Sequence, residues 1–134
     1  MSSSATKVKL DQEVCADAEK LVRLYTELAD MNRPRTVNLY SSEKNAPQLV
    51  WNGNLFNGLP EIEAFWRSLP ATSHEVTCLD AHRIDPTSDD TSLVVLAMGT
   101  VTIGGVSHAY NHSLLLIHEG GTYKIKSDNY RLID

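Results

Sequence analysis

A chain of 134 residues is long enough for one domain with a single hydrophobic core, and its 42% apolar and 22% charged residues are ordinary for a soluble globular protein. Its formal net charge of −5, without a basic cluster, argues against direct binding of nucleic acid or an anionic membrane. No apolar segment reaches the length of a membrane span, and the polar N-terminus lacks the apolar core of a signal peptide.

The chain is predicted to open with a flexible polar tail over residues 1–9, followed by one folded domain over residues 10–134. From Asp11 to Asp30, apolar side chains recur at helical spacing and form one stripe. The stripe consists of Val14, Ala18, Leu21, Val22, Tyr25, Leu28 and Ala29. The first predicted element is therefore an amphipathic helix with one buried face.

Shorter apolar segments follow, separated by turn residues. Asn52-Gly53 is a strong turn signal, because both residues tolerate a positive φ angle. Proline fits the first turn of a helix and also stops one, which sets the predicted helix limits. The predicted elements here are a short helix beginning at Pro34, a strand at Leu49–Trp51, and a helix beginning at Pro60 and ending before Pro70.

The second half of the chain has the composition and turn spacing of strands. The predicted strands cover residues 75–84, 91–103, 106–118 and 122–133. Two glycine pairs, Gly104-Gly105 and Gly120-Gly121, are expected to turn the last two hairpins. Helices that precede a run of antiparallel hairpins define the α+β class.

Two of these strands contain apolar runs that do not alternate with polar residues. The runs are Leu93–Met98 and Leu114–Ile117. A strand with one face in water should alternate, so we expect both faces of this central hairpin to be buried. The helices can cover one face, and a partner subunit is the simplest cover for the other. A sheet that wraps tightly enough to hide both faces within one chain is the alternative.

The cysteines and histidines show no pattern of a redox or metal site. Cys15 and Cys78 are too few for a disulfide framework, and we expect two reduced, buried thiols. Among five histidines, His108 and His112 are four residues apart, a spacing that suits zinc on a helix but not on a strand. We therefore predict no metal and no cofactor.

Several blocks of the sequence carry a resemblance to a known family. They are Val50–Asn54 with Gly58, Ser68–Pro70, Leu79–Ala81 and Lys126–Arg131. With the order helix, helix, short strand, helix and long sheet, the chain resembles the nuclear transport factor 2-like superfamily, and within it the nuclear transport factor 2-related export proteins. The resemblance implies a cone-shaped α+β fold, with three N-terminal helices packed on a strongly bent antiparallel sheet.

This resemblance also implies a function. Related export proteins are non-catalytic adaptors that form a heterodimer, through the sheet face, with the large subunit of the mRNA export receptor. The heterodimer presents surfaces for nucleoporin Phe-Gly repeats and shuttles between nucleus and cytoplasm. The expected partners are thus the large subunit and the repeats, with no direct contact to nucleic acid or membrane.

The predicted partner interface lies on the last strand and on the long apolar strand. Its residues are Arg131, Asn129, Leu96, Met98 and Val94. Arg131 stands between Tyr130 and Leu132, where a charge must reach water or a partner. A solvated strand end is one interpretation. The resemblance implies the other, an ion pair with a carboxylate of the large subunit.

A sibling function is the homodimeric carrier of Ran-GDP. In that carrier, acidic residues rim an aromatic pocket, and they come from a loop that corresponds to residues 102–108 here. This segment contains no carboxylate, although Trp51 retains the aromatic element. We therefore do not expect Ran-GDP to bind.

A third possibility is an isomerase or dehydratase with its active site inside the cone. The best candidate set is Asp80 and His82, two apart on a strand, with Tyr25, Tyr40 and Asp128 from other elements. Each also has an ordinary structural interpretation: a capping or Arg83-paired aspartate, a surface histidine, core tyrosines. No acid, base and stabiliser emerge on matched faces, so we predict no catalytic site.

Four aromatic side chains cluster around the Asn-Gly turn. Trp51, Phe65 and Trp66 are expected to plug the core, whereas Phe56 is assigned to an Asn-Gly-rich loop where it can be exposed.

Overall fold

The computed structural model describes residues 4–133, with side chains from residue 9 onward. Helix α1 covers Ser4–Met31 and helix α2 covers Gly58–Ser68, with 3-10 helices at Arg33–Leu39 and Glu43–Asn45 between them. The strands are β1 Gln48–Trp51, β2 Asn54–Asn57, β3 Thr72–Arg83, β4 Leu93–Ile103, β5 Val106–Glu119 and β6 Thr122–Leu132. In the described part of the chain, no helix combines the length and apolar character needed to cross a membrane.

Helix α1 begins earlier than predicted. It starts at Ser4 rather than Asp11, so residues 4–9 of the predicted tail are helical. No glycine or proline lies between Ser4 and Asp11, and adding residues to an existing helix is much easier than starting one. Residues 1–3 of the predicted tail lie outside the described residues.

The segment after the Asn-Gly turn is a strand, not a loop. Asn52 and Gly53 have φ angles of 50° and 87°, which closes a two-residue hairpin between β1 and β2. Phe56 lies in β2 and is half-buried, with its ring centroid 4.9 Å from that of Phe65. A four-residue strand is too short to show a period of its own, which is why the sequence did not reveal it.

The six strands form one sheet in the order β2-β1-β6-β5-β4-β3. All neighbours are antiparallel except β1 and β6, which run parallel. Register shifts between Val76 and Cys78 on β3 and between Leu115 and Leu116 on β5 interrupt the ladder, as bulges do where a sheet bends. The predicted fold class, helices on a bent and unclosed sheet, is confirmed with this one parallel pair.

The concave inner face of the sheet packs against α1, the first 3-10 helix and α2. Aromatic rings fill the wide end: Trp51 stacks on Tyr130 with centroids 4.1 Å apart, and Tyr110 stacks on Tyr130 at 4.9 Å. Phe65 and Trp66 pack edge-on beside them, so the predicted aromatic core is present.

The outer face of the sheet is open in the single chain. Along β4, Leu93, Val95 and Ala97 are buried, whereas Leu96 and Met98 are 46% and 47% exposed. The apolar run is therefore buried on the inner face alone, and tight wrapping of the chain does not hide the outer one. Cys78 also lies on this face and is exposed, so the prediction that both thiols are buried is wrong for Cys78.

Gly99 sits opposite the bulge of β3 and has no room for a side chain. A Cβ atom there would lie 2.0 Å from the Glu75 carbonyl oxygen and 3.1 Å from the Tyr110 ring. Gly99→Ala is expected to lower the free energy of unfolding by about 3 kcal/mol, because the backbone must shift to relieve this overlap. Urea denaturation should compare it with Gly121→Ala, where an added Cβ meets open space and only the positive φ angle of 82° is unfavourable, at a cost of about 1–2 kcal/mol. Equal losses in the two variants would contradict the steric argument.

Candidate functional site on the outer face of the sheet

The register of the sheet brings the predicted interface residues together on the outer face. Leu96 on β4 pairs with Ser113 on β5, which pairs with Asn129 on β6. Met98 pairs in the same way with Asn111, which pairs with Arg131. Because neighbours in a ladder share a face, these side chains all point away from the helices.

These side chains line a shallow groove of about 410 Å3. Its lining includes Leu96, Met98, Asn111, Ser113, Asn129 and Arg131. The apolar surface continues to the far edge of the sheet, where Leu55 on β2 is 53% exposed and pairs with the half-buried Val50. An apolar centre with a polar rim is the anatomy of a protein–protein interface.

Arg131 is exposed at the edge of this groove. Within the described part of the chain, its guanidinium makes no hydrogen bond or ion pair. By contrast, Arg83 is buried and pairs with Asp11 at 3.0 Å. The five planar donors of Arg131 are thus free to receive a carboxylate.

Two of the predicted catalytic candidates lie on this outer face rather than inside the cone. On β3, Asp80 pairs with Leu96 and His82 pairs with Val94, and both side chains are exposed. Asp80 also does not pair with Arg83, which binds Asp11 instead. Asp80 and His82 therefore do not meet the tyrosines of the candidate set, because a bulge sets which face of the sheet each β3 residue occupies.

The remaining candidates do meet, in a buried polar cluster that includes a histidine the sequence analysis missed. Asp128 accepts hydrogen bonds from the hydroxyls of Tyr25 at 2.9 Å and Tyr40 at 2.5 Å. Its other oxygen lies 2.7 Å from Nε2 of His112, and Nε1 of Trp66 donates to the Tyr40 hydroxyl at 3.3 Å. His112 is spaced two and four residues from the buried Leu114 and Leu116 on the same strand, and this spacing indicates that its side chain also points into the core.

The cluster is sealed from solvent. Tyr25, Trp66 and Asp128 are each 0% exposed. Burial, together with the adjacent Asp128, raises the pKa of Tyr25 and of Tyr40 well above 10, so both hydroxyls remain protonated donors. The geometry therefore ties α1, the first 3-10 helix and α2 to strands β5 and β6, and among the described residues the groups of this cluster are all buried.

A second polar network joins the end of α1 to the sheet. The Asp30 carboxylate accepts hydrogen bonds from the His74 backbone N–H at 2.8 Å and from Nδ1 of His74 at 2.7 Å. Nε2 of His74 then accepts from the Tyr130 hydroxyl at 2.8 Å. Burial lowers the pKa of His74 below 6.5, although the Asp30 hydrogen bond opposes this shift. His74 is thus neutral in the folded chain at pH 7.

Protonation of His74 in the unfolded chain should make stability fall with decreasing pH. Below about pH 6.5 the unfolded state takes up a proton that the folded state refuses until its lower pKa is reached, so the free energy of unfolding declines by up to about 1.4 kcal/mol per pH unit. Urea denaturation between pH 7.5 and 5 should show a shallower slope for His74→Gln. His82→Gln, at an exposed histidine, serves as the control. If the stability of His74→Gln depends on pH as steeply as that of the wild type, His74 is not the group responsible.

No group of three or more His, Cys, Asp or Glu side chains suited to a metal ion occurs in the part of the chain that the structure describes. The Gly104-Gly105 segment is a tight hairpin turn between β4 and β5, and Gly104 N–H donates to the Ala71 carbonyl at 3.0 Å. Trp51 is only 8% exposed, since Tyr130 and Phe65 pack against it. The described aromatic corner is therefore filled by the chain's own rings.

A helix-filled cone with an open, apolar outer sheet face defines the class of nuclear transport factor 2-like domains. The family model for the nuclear transport factor 2 (NTF2) domain matches residues 17–132. The chain therefore belongs to the nuclear transport factor 2 family, and its similarity along nearly the whole chain to named export proteins places it among the NTF2-related export proteins. This confirms the resemblance carried by the Trp51 and Arg131 blocks.

Two similar curated proteins carry the export name. The NTF2-related export protein of Caenorhabditis elegans is 38% identical over 130 residues, which covers 94% of this chain and 93% of that protein. The human NTF2-related export protein 2 is 32% identical over 135 residues, covering 96% of this chain and 92% of the relative.

Solved structures share the fold at lower identity. Nuclear transport factor 2 from Cryptosporidium parvum has a TM-score of 0.80 at 22% identity, covering 92% of this chain and 97% of that one. A putative NTF2-like dehydratase from Streptomyces avermitilis has a TM-score of 0.76 at 9% identity, with 92% and 98% coverage. A protein named as a transport factor and one named as a putative dehydratase thus share this architecture, so the function must be argued from the site.

Proposed function

We propose that this protein is a non-catalytic adaptor subunit in nuclear mRNA export, and that it forms a heterodimer with the large subunit of the mRNA export receptor through its outer sheet face. The observation that carries the proposal is the half-exposed Leu96 and Met98 on a face that the chain leaves uncovered. Large apolar side chains on an open sheet favour association, since covering them removes apolar surface from water.

Two further observations support this function. Two relatives with 38% and 32% sequence identity are named export proteins and align along nearly the whole chain. The buried acid–base groups around Asp128 are hydrogen-bonded to one another, which suits a structural role better than catalysis. The heterodimer would support binding of nucleoporin Phe-Gly repeats and shuttle through the nuclear pore.

In this proposal Arg131 forms an ion pair with a carboxylate of the large subunit. The free guanidinium lies at the rim of the groove, beside Asn129 and separated from the exposed Met98 by Asn111. A bidentate pair there would set partner choice, because a wrong partner would leave the charge unpaired in a partly dry interface. Leu96, Met98 and Val94 would supply the apolar contact.

Co-expression with the large subunit tests the proposal. We expect the chain alone to self-associate or aggregate, and to become a defined one-to-one complex when co-expressed. Arg131→Glu should abolish co-purification while circular dichroism stays unchanged, because reversing one charge of such a pair costs at least about 2–5 kcal/mol. A stable wild-type monomer that does not bind the large subunit would refute the proposed adaptor function. Wild-type yield for folded Arg131→Glu would refute the ion pair alone.

Ran-GDP is not expected to bind this chain measurably. Residues 102–108 supply no carboxylate, and Trp51 is packed against Tyr130 and Phe65. Isothermal titration calorimetry with Ran-GDP should therefore give no heat of binding, with a homodimeric nuclear transport factor 2 as the positive control. A dissociation constant in the micromolar range would favour the carrier function instead.

A further inference from the structure

The outer face carries opposite charges on its two flanks. Arg131 lies on β6, and Asp80 lies on β3 in the ladder row that runs through Leu96 and Ser113 to Asn129. Three strand spacings of about 4.8 Å separate β6 from β3, so the flanks are about 14 Å apart. Glu75 extends the acidic flank, because it pairs with Thr100 on the same parity as Leu96.

Neither flank is neutralised within the chain. Asp80, Glu75 and Arg131 are all exposed, and across the described residues none of the three side chains makes a hydrogen bond or an ion pair. Some other charges of the same chain are paired, as in Arg67 with Glu63 at 3.0 Å. The outer face is thus an apolar stripe between one unpaired cationic flank and one unpaired acidic flank.

A partner that covers the apolar stripe also covers or closely approaches both flanks. Removing water strengthens every charge interaction, so like charges across the interface become costly and opposite charges favourable. The cationic flank alone leaves the partner free to rotate about Arg131. A second contact about 14 Å away removes that freedom, since two separated contacts fix the direction in which the partner sheet lies.

We propose that the β3 flank is a second electrostatic contact, at which Asp80 and Glu75 receive a cationic strip of Lys or Arg side chains on the partner sheet. This inference rests on the proposed heterodimer and adds the chemistry of the partner: acidic opposite β6, basic opposite β3. Asp80 thereby sets the orientation of the two sheets and contributes to affinity.

The test measures binding of the recombinant large subunit by calorimetry. Asp80→Lys should raise the dissociation constant at least about 10-fold. Asp89→Lys, the same charge change in the exposed loop between β3 and β4, should stay within about 2-fold. Raising the salt concentration should weaken the wild type more than Asp80→Lys, because one screened attraction is already lost in the variant.

A charge swap identifies the occupant of the face. With the large subunit, Asp80→Lys combined with Arg131→Glu should show both losses together, since the sites are too far apart to couple strongly. A second copy of this chain, related by a twofold axis along the strands, would place Asp80 opposite the other copy's Arg131, and the swap would then preserve association. Preserved self-association with unchanged binding to the large subunit would overturn the proposal. Equal dissociation constants for Asp80→Lys and Asp89→Lys would also overturn it. Failure of the wild-type chain to bind the large subunit would overturn the proposed function as well.

Discussion

Asp128→Ala is expected to lower the free energy of unfolding by about 3–5 kcal/mol, a large part of the about 5–15 kcal/mol that stabilises a domain of this size. The carboxylate is 0% exposed and is the common acceptor for Tyr25, Tyr40 and His112. Its removal leaves two hydroxyls and an imidazole buried without their acceptor. Each of these groups remains removed from water, which is unfavourable, and loses the hydrogen bond that offset this cost.

Equilibrium denaturation with urea measures this loss, and single variants of the donors divide it. Tyr25→Phe and Tyr40→Phe each remove one donor and leave the carboxylate two others, so each should cost about 1–2 kcal/mol. Asp89→Ala, in an exposed loop, is the control for loss of an aspartate. An Asp128→Ala protein within about 1 kcal/mol of the wild type would show that the cluster does not hold the fold.

Leu96→Glu is expected to prevent pairing with the large subunit while the isolated chain remains folded. Leu96 lies at the centre of the outer-face groove, paired with Ser113 and Asp80 in its ladder row. A carboxylate at this position would be buried in the interface without a partner, at a cost of several kcal/mol and hence more than about 100-fold in affinity. Co-purification measures pairing, and circular dichroism measures the fold.

Leu24→Glu is the matched control for Leu96→Glu. Leu24 lies on helix α1, on the opposite side of the cone, and is 43% exposed compared with 46% for Leu96. The two substitutions therefore add the same charge to leucines of similar exposure and differ only in their face. Retained pairing in Leu96→Glu, or equal loss in Leu24→Glu, would contradict the assignment of the interface to the outer sheet face.

Comparison of Asp128→Ala with Leu96→Glu would separate the residues that stabilise the fold from those that bind the partner. The polar cluster around Asp128 lies on the inner face and joins helices to strands, whereas the residues assigned to the partner alternate with it along the same strands. On β6, Asp128 and Tyr130 point inward and Asn129 and Arg131 point outward. The alternation of strand side chains thus lets one strand serve both purposes.

The sequence by itself determined the fold class and the existence of an uncovered sheet face. Helical periodicity up to Asp30 predicted the long helix, and the glycine pairs predicted the hairpin turns at the places where they occur. The unbroken apolar run Leu93–Met98 predicted apolar side chains on both faces of the sheet, and it left open whether a partner or the wrapping of the chain covers the outer face. These features depend on composition and on neighbouring residues in the sequence. They can therefore be predicted without knowing which residues pack against them in the fold.

Only the tertiary structure decided which residues meet. His112 joins Tyr25, Tyr40 and Asp128 because strand pairing brings together positions up to 103 residues apart. Asp80 lies on the outer face, away from that cluster, because the β3 bulge at Val76/Cys78 determines which face of the sheet every later β3 residue occupies. Register and bulges depend on contacts between distant strands, and a shift of one residue exchanges the two faces, so residue spacing along the chain cannot determine them.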